Sequence, residues 1–252
     1  MSDNSIWKEL DRRSFLTVGA AMGAAGLVRS ADAESASLLQ GAAPLQAIPF
    51  PQKLINTEAV GITRKTHDEH YELYKGYVTK VNEIRTKLAA LGAPDATKAN
   101  QTFSDLRELK VEYSFALGGV KNHELYFGNL GGKGGEADGA VADAIKASFG
   151  SFDNWKADLK ATGIAARGWV WLALDLHDGS LFNYIGDAQN TYPIWGAVPI
   201  LGIDVYEHAY FIDFGRARAK YIDAFFKVID WDAVNANLKA AKAASDAVKA
   251  AK

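Results

Sequence analysis

Residues 168–185, GWVWLALDLHDGSLFNYI, set two apolar, aromatic-rich runs on either side of Asp178-Gly179. Runs of this kind joined by an Asp-Gly pair read as a β-hairpin, because both turn residues accept the backbone conformations that a tight reversal demands. The run Val198-Pro199-Ile200-Leu201-Gly202-Ile203 reads as a third strand. Everything around these strands reads as helix. Upstream, from Thr63 to about Leu91, apolar side chains recur at Tyr74, Tyr77, Val78, Val81, Ile84 and Leu88, a helical period, and Gly92 and Pro94 close the run. A second long helix is expected over 102–130, with Leu106, Leu109, Tyr113 and Leu117 on one face, before the break Gly131-Gly132-Lys133-Gly134-Gly135. Shorter helices are expected over 141–149 and 152–162, helices return over 206–228, and an Ala/Lys-rich helix runs from Trp231 towards the end.

The fold class is therefore α+β: an N-terminal long antiparallel helical hairpin (62–132) and a C-terminal mixed domain (133–235) with a small three-stranded antiparallel sheet flanked by helices. Residues 34–61, with Pro44, Pro49 and Pro51, read as an extended arm and not a helix. Residues 236–252 read as a solvated helix or frayed tail.

Composition narrows the chemistry. The chain has 252 residues and a formal net charge of -2, which argues against a nucleic-acid partner held by bulk positive charge. It has no cysteine, so disulfides, zinc ribbons, iron–sulfur clusters and thiol nucleophiles are excluded, and any metal must be held by nitrogen and oxygen. Residues 1–33 read as an export signal: Arg12-Arg13 precede a Gly/Ala-rich apolar stretch over 16–28, and Ala31-Asp32-Ala33 offers a small-x-small cleavage site. A bilayer span needs about 20 apolar residues, so the stretch is too short for a stable membrane anchor. This twin-arginine pattern implies a periplasmic or secreted protein, cut near Ala33, whose charge remains -2 after cleavage. The other reading of the same stretch is a short buried helix or an uncleaved anchor.

There are five histidines: His67, His70, His123, His177 and His208. Asp204 ends the third strand and His208 lies one helical turn later, so the two can point at a common atom. His70 and His123 sit on the two long helices and can meet if these pack antiparallel. Three imidazoles and one carboxylate would result. Each helical histidine can equally be a surface or hydrogen-bonded core residue, and the Asp204/His208 pair a charge arrangement at a helix start.

The surrounding residues are more specific. Ile203-Asp-Val-Tyr-Glu-His-Ala-Tyr-Phe211 resembles the Asp-x-Trp-Glu-His-Ala-Tyr metal signature of the iron/manganese superoxide dismutases. Gly118-Gly-Val-Lys-Asn-His-Glu-Leu-Tyr-Phe127 is similar to that family's Asn-His-x-x-Phe/Tyr-Trp helix, and Gly168-Trp-Val-Trp-Leu172 to its Gly-Trp-x-Trp-Leu strand. Further matches are Ser148-Phe-Gly-Ser-Phe152, Ala188-Gln-Asn-Thr-Tyr-Pro193 and Tyr221-Ile-Asp-Ala-Phe225, so the likeness spans residues 45–235 in order.

The resemblance implies that His70, His123, Asp204 and His208 hold one manganese or iron ion, and that the chain disproportionates superoxide to dioxygen and hydrogen peroxide. Tyr77 would be the gateway tyrosine. The family's iron types place a glutamine four residues before the helix-two histidine, where this chain has Gly119, whereas manganese types place it in the segment holding Gln189 and Asn190. Either amide could serve, which leans towards manganese. Glu207 would bridge to His208 of the partner subunit in a homodimer, and Arg218 would steer the anion unless it is a surface ion pair.

Departures lie on the first helix, where the family's second histidine is replaced by Tyr74, and at Phe211, where the family has a tyrosine. His67 is the alternative ligand to His70. Three readings follow: an active dismutase, a metal-binding relative whose altered relay has abolished turnover, or a mononuclear iron hydrolase or oxygenase with two histidines and one carboxylate. Superoxide consumption by metal-loaded protein separates the first two, and a ligand count separates the third. Amino-terminal sequencing of the exported protein is expected to begin at residue 34; protein recovered only unprocessed in the cytoplasm would remove the export reading.

Overall fold

The computed structural model describes residues 43–93 and 95–251. The expected export segment, the start of the arm and Pro94 lie outside the described residues.

Helix α1 (Arg64–Ala90) begins at Thr63, whose side-chain oxygen accepts from the Thr66 N–H. Its buried positions, His70, Tyr74, Val78, Val81, Ile84 and Leu88, follow the three-four spacing of one helical face. Helix α2 (Asp105–Gly128) starts later than its apolar pattern suggests, because Ser104 caps it at 3.2 Å through the Arg107 N–H. Asp105 and Glu108 in its first turn favour the positive end of the helix dipole. Tyr77 lies against Gly119 while Arg85 reaches Tyr113, so the two helices run antiparallel.

The arm is a strap fastened along α1. Asn82 holds Leu45 by both main-chain groups (2.8 and 2.9 Å), Ile48 N–H donates to the Tyr74 hydroxyl (2.9 Å), Tyr71 donates to the Ile48 carbonyl, and Arg85 reaches the Ala43 carbonyl. The expectation of an arm extended as far as residue 61 is corrected: Gln52–Val60 is a 3-10 helix. Pro51 fits its N-cap, Gly61 ends it at φ +86°, and the Thr57 hydroxyl bonds the carbonyls of Leu54 and Ile62.

Strands β1 (Trp169–Asp175), β2 (Leu181–Gly186) and β3 (Ala197–Asp204) form an antiparallel sheet in the order β2-β1-β3. The central strand is almost wholly buried, because elements cover both faces. Its register with β3 shifts between Leu172 and Ala173, opposite Pro199, which has no N–H for the ladder. Helices α3 (Gly139–Phe149) and α4 (Phe152–Ala165) pack on the β2 side, and α2 packs on β3, so hairpin and sheet share one core.

After β3 the chain does not run on as a long helix. It makes a 3-10 turn at Glu207–Ala209, then α5 (Phe211–Phe214), then α6 (Arg218–Phe226), with Gly215 at φ +52° between the last two. Of the two readings of the C-terminal stretch, the helix is the one present, and one face of it is docked and not frayed. Helix α7 (Trp231–Ala250) is continuous across residue 236 and buries Trp231, Val234, Leu238, Ala241 and Ser245. The Ser245 hydroxyl closes on the Leu176 carbonyl (2.9 Å). No helix among the described residues is long and apolar enough to cross a membrane.

Trp171 lies flat across the sheet, and the neighbouring strands make room for it with glycine. A Cβ on Gly186 would stand 2.2 Å from its indole, and one on Gly202 3.1 Å. Gly186→Ala is expected to cost roughly 1–3 kcal/mol by overpacking, read as a lower melting temperature. Gly76→Ala, with nothing within 4 Å of the new methyl, should be neutral or stabilising.

Candidate metal centre

His70 comes from α1, His123 from α2, Asp204 from the last position of β3 and His208 from the 3-10 turn behind it. Asp204 is aimed by division of labour between its oxygens. Oδ1 accepts from the Tyr206 N–H (3.0 Å), its main-chain carbonyl accepts from the Tyr221 hydroxyl (2.9 Å), and Oδ2 is left facing inward. His70 Nε2 lies 3.0 Å from Oδ2, His208 Nε2 3.1 Å and His123 Nε2 3.6 Å. One ligand atom from each of the four residues falls within 4.8 Å of all the others. His70, His123 and Asp204 have no exposed side-chain surface, whereas His208 retains 28%.

His123 shows what this cluster requires. Its Nδ1 lies 2.6 Å from the Gly119 carbonyl, which can only accept, so the ring proton sits on Nδ1. Nε2 then carries a bare lone pair, is buried without a hydrogen-bond partner, and faces a carboxylate oxygen. Two acceptors pointed at each other in a dry site repel, and a cation between them removes the conflict. Three neutral nitrogens and one carboxylate suit iron or manganese. The residues present fit such an ion.

Electrostatics agree. Burial alone would raise the Asp204 carboxyl, yet the adjacent His208 and His70 imidazoles hold it far below the usual carboxylate range. Burial pushes His70 down against the opposing pull of Asp204, and pushes His123 down to about 3, reinforced by His70. Burial also lowers His208, but Asp204 outweighs it and the group ends above its ordinary value. The cluster therefore presents two unprotonated imidazoles, His70 and His123, around an ionised carboxylate near neutral pH, while Asp204 draws His208 towards its charged form.

Tyr77 stands beside the cluster, its ring 5.4 Å from that of His123. Gly119 admits it, since a Cβ there would meet the ring at 2.7 Å. The Tyr77 hydroxyl accepts from Gln189 Nε2 (3.2 Å), and Gln189 Oε1 accepts from Trp169 Nε1 (3.0 Å), which fixes the amide's orientation. Asn122 also holds the Gln189 carbonyl at 3.0 Å, and Gly118 lets that carbonyl approach α2. Asn190 does not join them: its amide donates to Ser114 on the exposed side of α2 (2.7 Å). Of the two adjacent amides expected to serve, the turn after β2 brings in Gln189 and directs Asn190 away.

The alternative ligand His67 is buried outside the cluster, with Nε2 2.8 Å from the Thr57 hydroxyl, and burial pushes it down to about 4. Tyr74 points away too, its hydroxyl engaged by Ile48 and by Glu124 (3.1 Å). Arg218 binds the Ala166 carbonyl (2.6 Å) and the Tyr210 hydroxyl (3.2 Å). Glu207 is exposed and borders an open cleft with His70, His208, Lys65, Phe211 and Ile212. Three contributors were not singled out in the sequence. Trp169 and Asn122 orient Gln189, and Tyr206 stacks on His208 (5.4 Å, 19°) with its hydroxyl on the Asp187 carbonyl. Their signal was adjacency, since Asn122 precedes His123 and Tyr206 lies between Asp204 and His208.

Comparison with known proteins gives the family. Residues 137–237 match the family described as iron/manganese superoxide dismutases, C-terminal domain. The chain is 47% identical over 192 residues to a protein of Aquifex aeolicus named an iron superoxide dismutase, covering 75% of this chain and 90% of that one. It is 37% identical over 176 residues to a manganese-named superoxide dismutase of Halobacterium salinarum, covering 66% and 79%. It is also 37% identical over 175 residues to an iron-named one of Cupriavidus metallidurans, covering 68% and 85%.

A pH dependence follows for metal-stripped protein. His67 and His123 have folded values below the unfolded value of 6.5, so the unfolded chain binds more protons as pH falls. Stability is therefore lost between about pH 6.5 and 4, on the order of 3 kcal/mol from His67 alone. Denaturant titrations that stay flat from pH 7 to pH 4 would refute this.

Proposed function

The chain belongs to the iron/manganese superoxide dismutase family, and from that membership we propose that it disproportionates superoxide with His70, His123, Asp204 and His208 holding one iron or manganese ion. The observation that carries the reading is the bare His123 nitrogen set against the Asp204 carboxylate in a buried pocket. When bound, the ion supplies one-electron chemistry by alternating between its +3 and +2 states. In one half-reaction superoxide gives up an electron and leaves as dioxygen. In the other, superoxide gains an electron and two protons and leaves as hydrogen peroxide.

The chain's residues arrange the rest. Phe127, Tyr126 and Trp169 wall the cluster with buried rings, and His208 alone among the four keeps exposed side-chain surface, on the cleft that His70 also borders. The Tyr77 hydroxyl and the Gln189 amide form a fixed hydrogen-bonded pair beside His123, positioned to hold and pass a proton. Burial pushes the Tyr77 phenol up, so it stays protonated and able to donate at neutral pH. Gln189 reaching in from the loop after β2, opposite the side-chain-free Gly119, supports manganese as the metal used.

A homodimer completes the cleft in this proposal. Glu207, beside the partly open His208, accepts a hydrogen bond from His208 of the partner subunit, and the exposed Phe211 and Ile212 are covered by the same contact. Orientation of a ligand from its far nitrogen fixes its tautomer. Export by the paired-arginine signal, Arg12-Arg13, remains part of the proposal.

His123→Ala is expected to lose metal and activity together while the protein stays folded, measured by metal analysis, superoxide consumption and circular dichroism. Retained activity with this substitution would overturn the site. Glu207→Ala should weaken the dimer in sedimentation and lower activity. Metal analysis of protein from its native host, beside activity with each metal reloaded, tests the manganese preference.

A further inference from the structure

The body of the protein lacks the side chains that usually absorb stray oxidation. There is no cysteine, and the two methionines are Met1 and Met22, both outside the described residues. Among the described residues there is no thiol or thioether, so the most readily oxidised groups around the cluster are aromatic rings. One row of them starts at a ligand. The His123 ring stands edge-on to Trp169 at 5.3 Å, Trp169 stacks on Trp171 at 6.1 Å and 7°, and Trp171 lies 4.9 Å from Tyr184. Trp169 is wholly buried, Trp171 nearly so, and Tyr184 on β2 is partly open to solvent.

Packing does not explain this row by itself. Seating Trp171 takes Gly186 and Gly202 from the adjacent strands, where glycine weakens a sheet. It also buries the Trp171 indole N–H without a partner, a cost a leucine or phenylalanine would avoid. The result is continuous ring contact from the cluster to the surface, along which an electron need not cross a gap of saturated chain.

We propose that Trp169, Trp171 and Tyr184 form an electron path that lets the protein reduce hydrogen peroxide, the product of the dismutation proposed above, with an electron drawn from its own surface. The inference rests on that reading. In this step the ion, when bound in its reduced state, would supply one electron, and the aromatic row gives the second. The peroxide O–O bond breaks, two protons enter, and two waters form. The electron deficit moves through Trp169 and Trp171 to Tyr184, which releases its phenolic proton to solvent and is left as a neutral phenoxyl radical. A small one-electron donor at the surface, of the phenol or ascorbate-like enol class, restores the tyrosine by giving a hydrogen atom. The path spares His123 and the other ligands from oxidation.

The test uses the full chain loaded with iron, first assayed for metal content and superoxide consumption, then reduced, mixed with hydrogen peroxide and frozen for electron paramagnetic resonance. The expected result is a neutral tyrosyl signal that Tyr184→Phe loses, with metal content and dismutation unchanged. Trp171→Phe should also lose the signal, and peptide mass spectrometry should then find oxidation shifted onto Trp169 and His123. Iron-loaded protein that dismutates but gives no protein radical, or a tyrosyl signal that survives Tyr184→Phe, overturns the path. Iron-loaded protein that does not dismutate overturns instead the function on which the path rests. Should Trp171→Phe fail to fold, Tyr184→Phe decides alone, because it keeps the ring and sits at the surface.

Discussion

The structure is organised around one electrostatic demand: a buried, ionised Asp204 must be compensated where no water reaches. An isolated carboxylate in a dry core is prohibitively costly, so the fold surrounds it with nitrogen from three separate elements. Two of the imidazoles can satisfy Oδ2 by donating to it. The third cannot, because the Gly119 carbonyl claims its only proton. The protein thus carries a built-in misfit that a cation resolves. Metal affinity and fold stability are thereby linked, as only the folded chain assembles this conflict.

Much of this was legible in the sequence, for physical reasons. Both long helices announce themselves by period, and the hairpin by its Asp-Gly turn between apolar runs. The ligand set came from the resemblance of the segments around His123 and Asp204–His208 to a known family, since spacing alone left each histidine open to a core or surface reading. What was hidden depended on tertiary facing. His67 and His70 are three residues apart on nearly one face of α1, and both are buried, so only the neighbouring elements distinguish them. One meets Thr57 and the other meets Asp204. Gln189 and Asn190 differ in the same way: identical amide chemistry, opposite sides of a loop.

Other features lacked a periodic signal altogether. The 3-10 helix at Gln52–Val60 has too little apolar patterning to announce itself and follows three prolines, so it read as continued extension. The C-terminal helix read as solvated because alanine and lysine dominate it. Its buried stripe begins with Val234 and Leu238, but beyond residue 238 it continues only with the small residues Ala241 and Ser245. Small side chains bury well, yet carry little hydropathy by which to be noticed.

The strap along α1 has a consequence for which changes the arm can accept. Its anchors, from the Ala43 carbonyl gripped by Arg85 to the Ile48 groups gripped by Tyr71 and Tyr74, are main-chain contacts indifferent to the arm's own side chains. These clasps hold the path of the chain whatever residue carries the carbonyl, whereas Leu45, Ala47, Ile48 and Phe50 must stay apolar, because their side chains pack on the core.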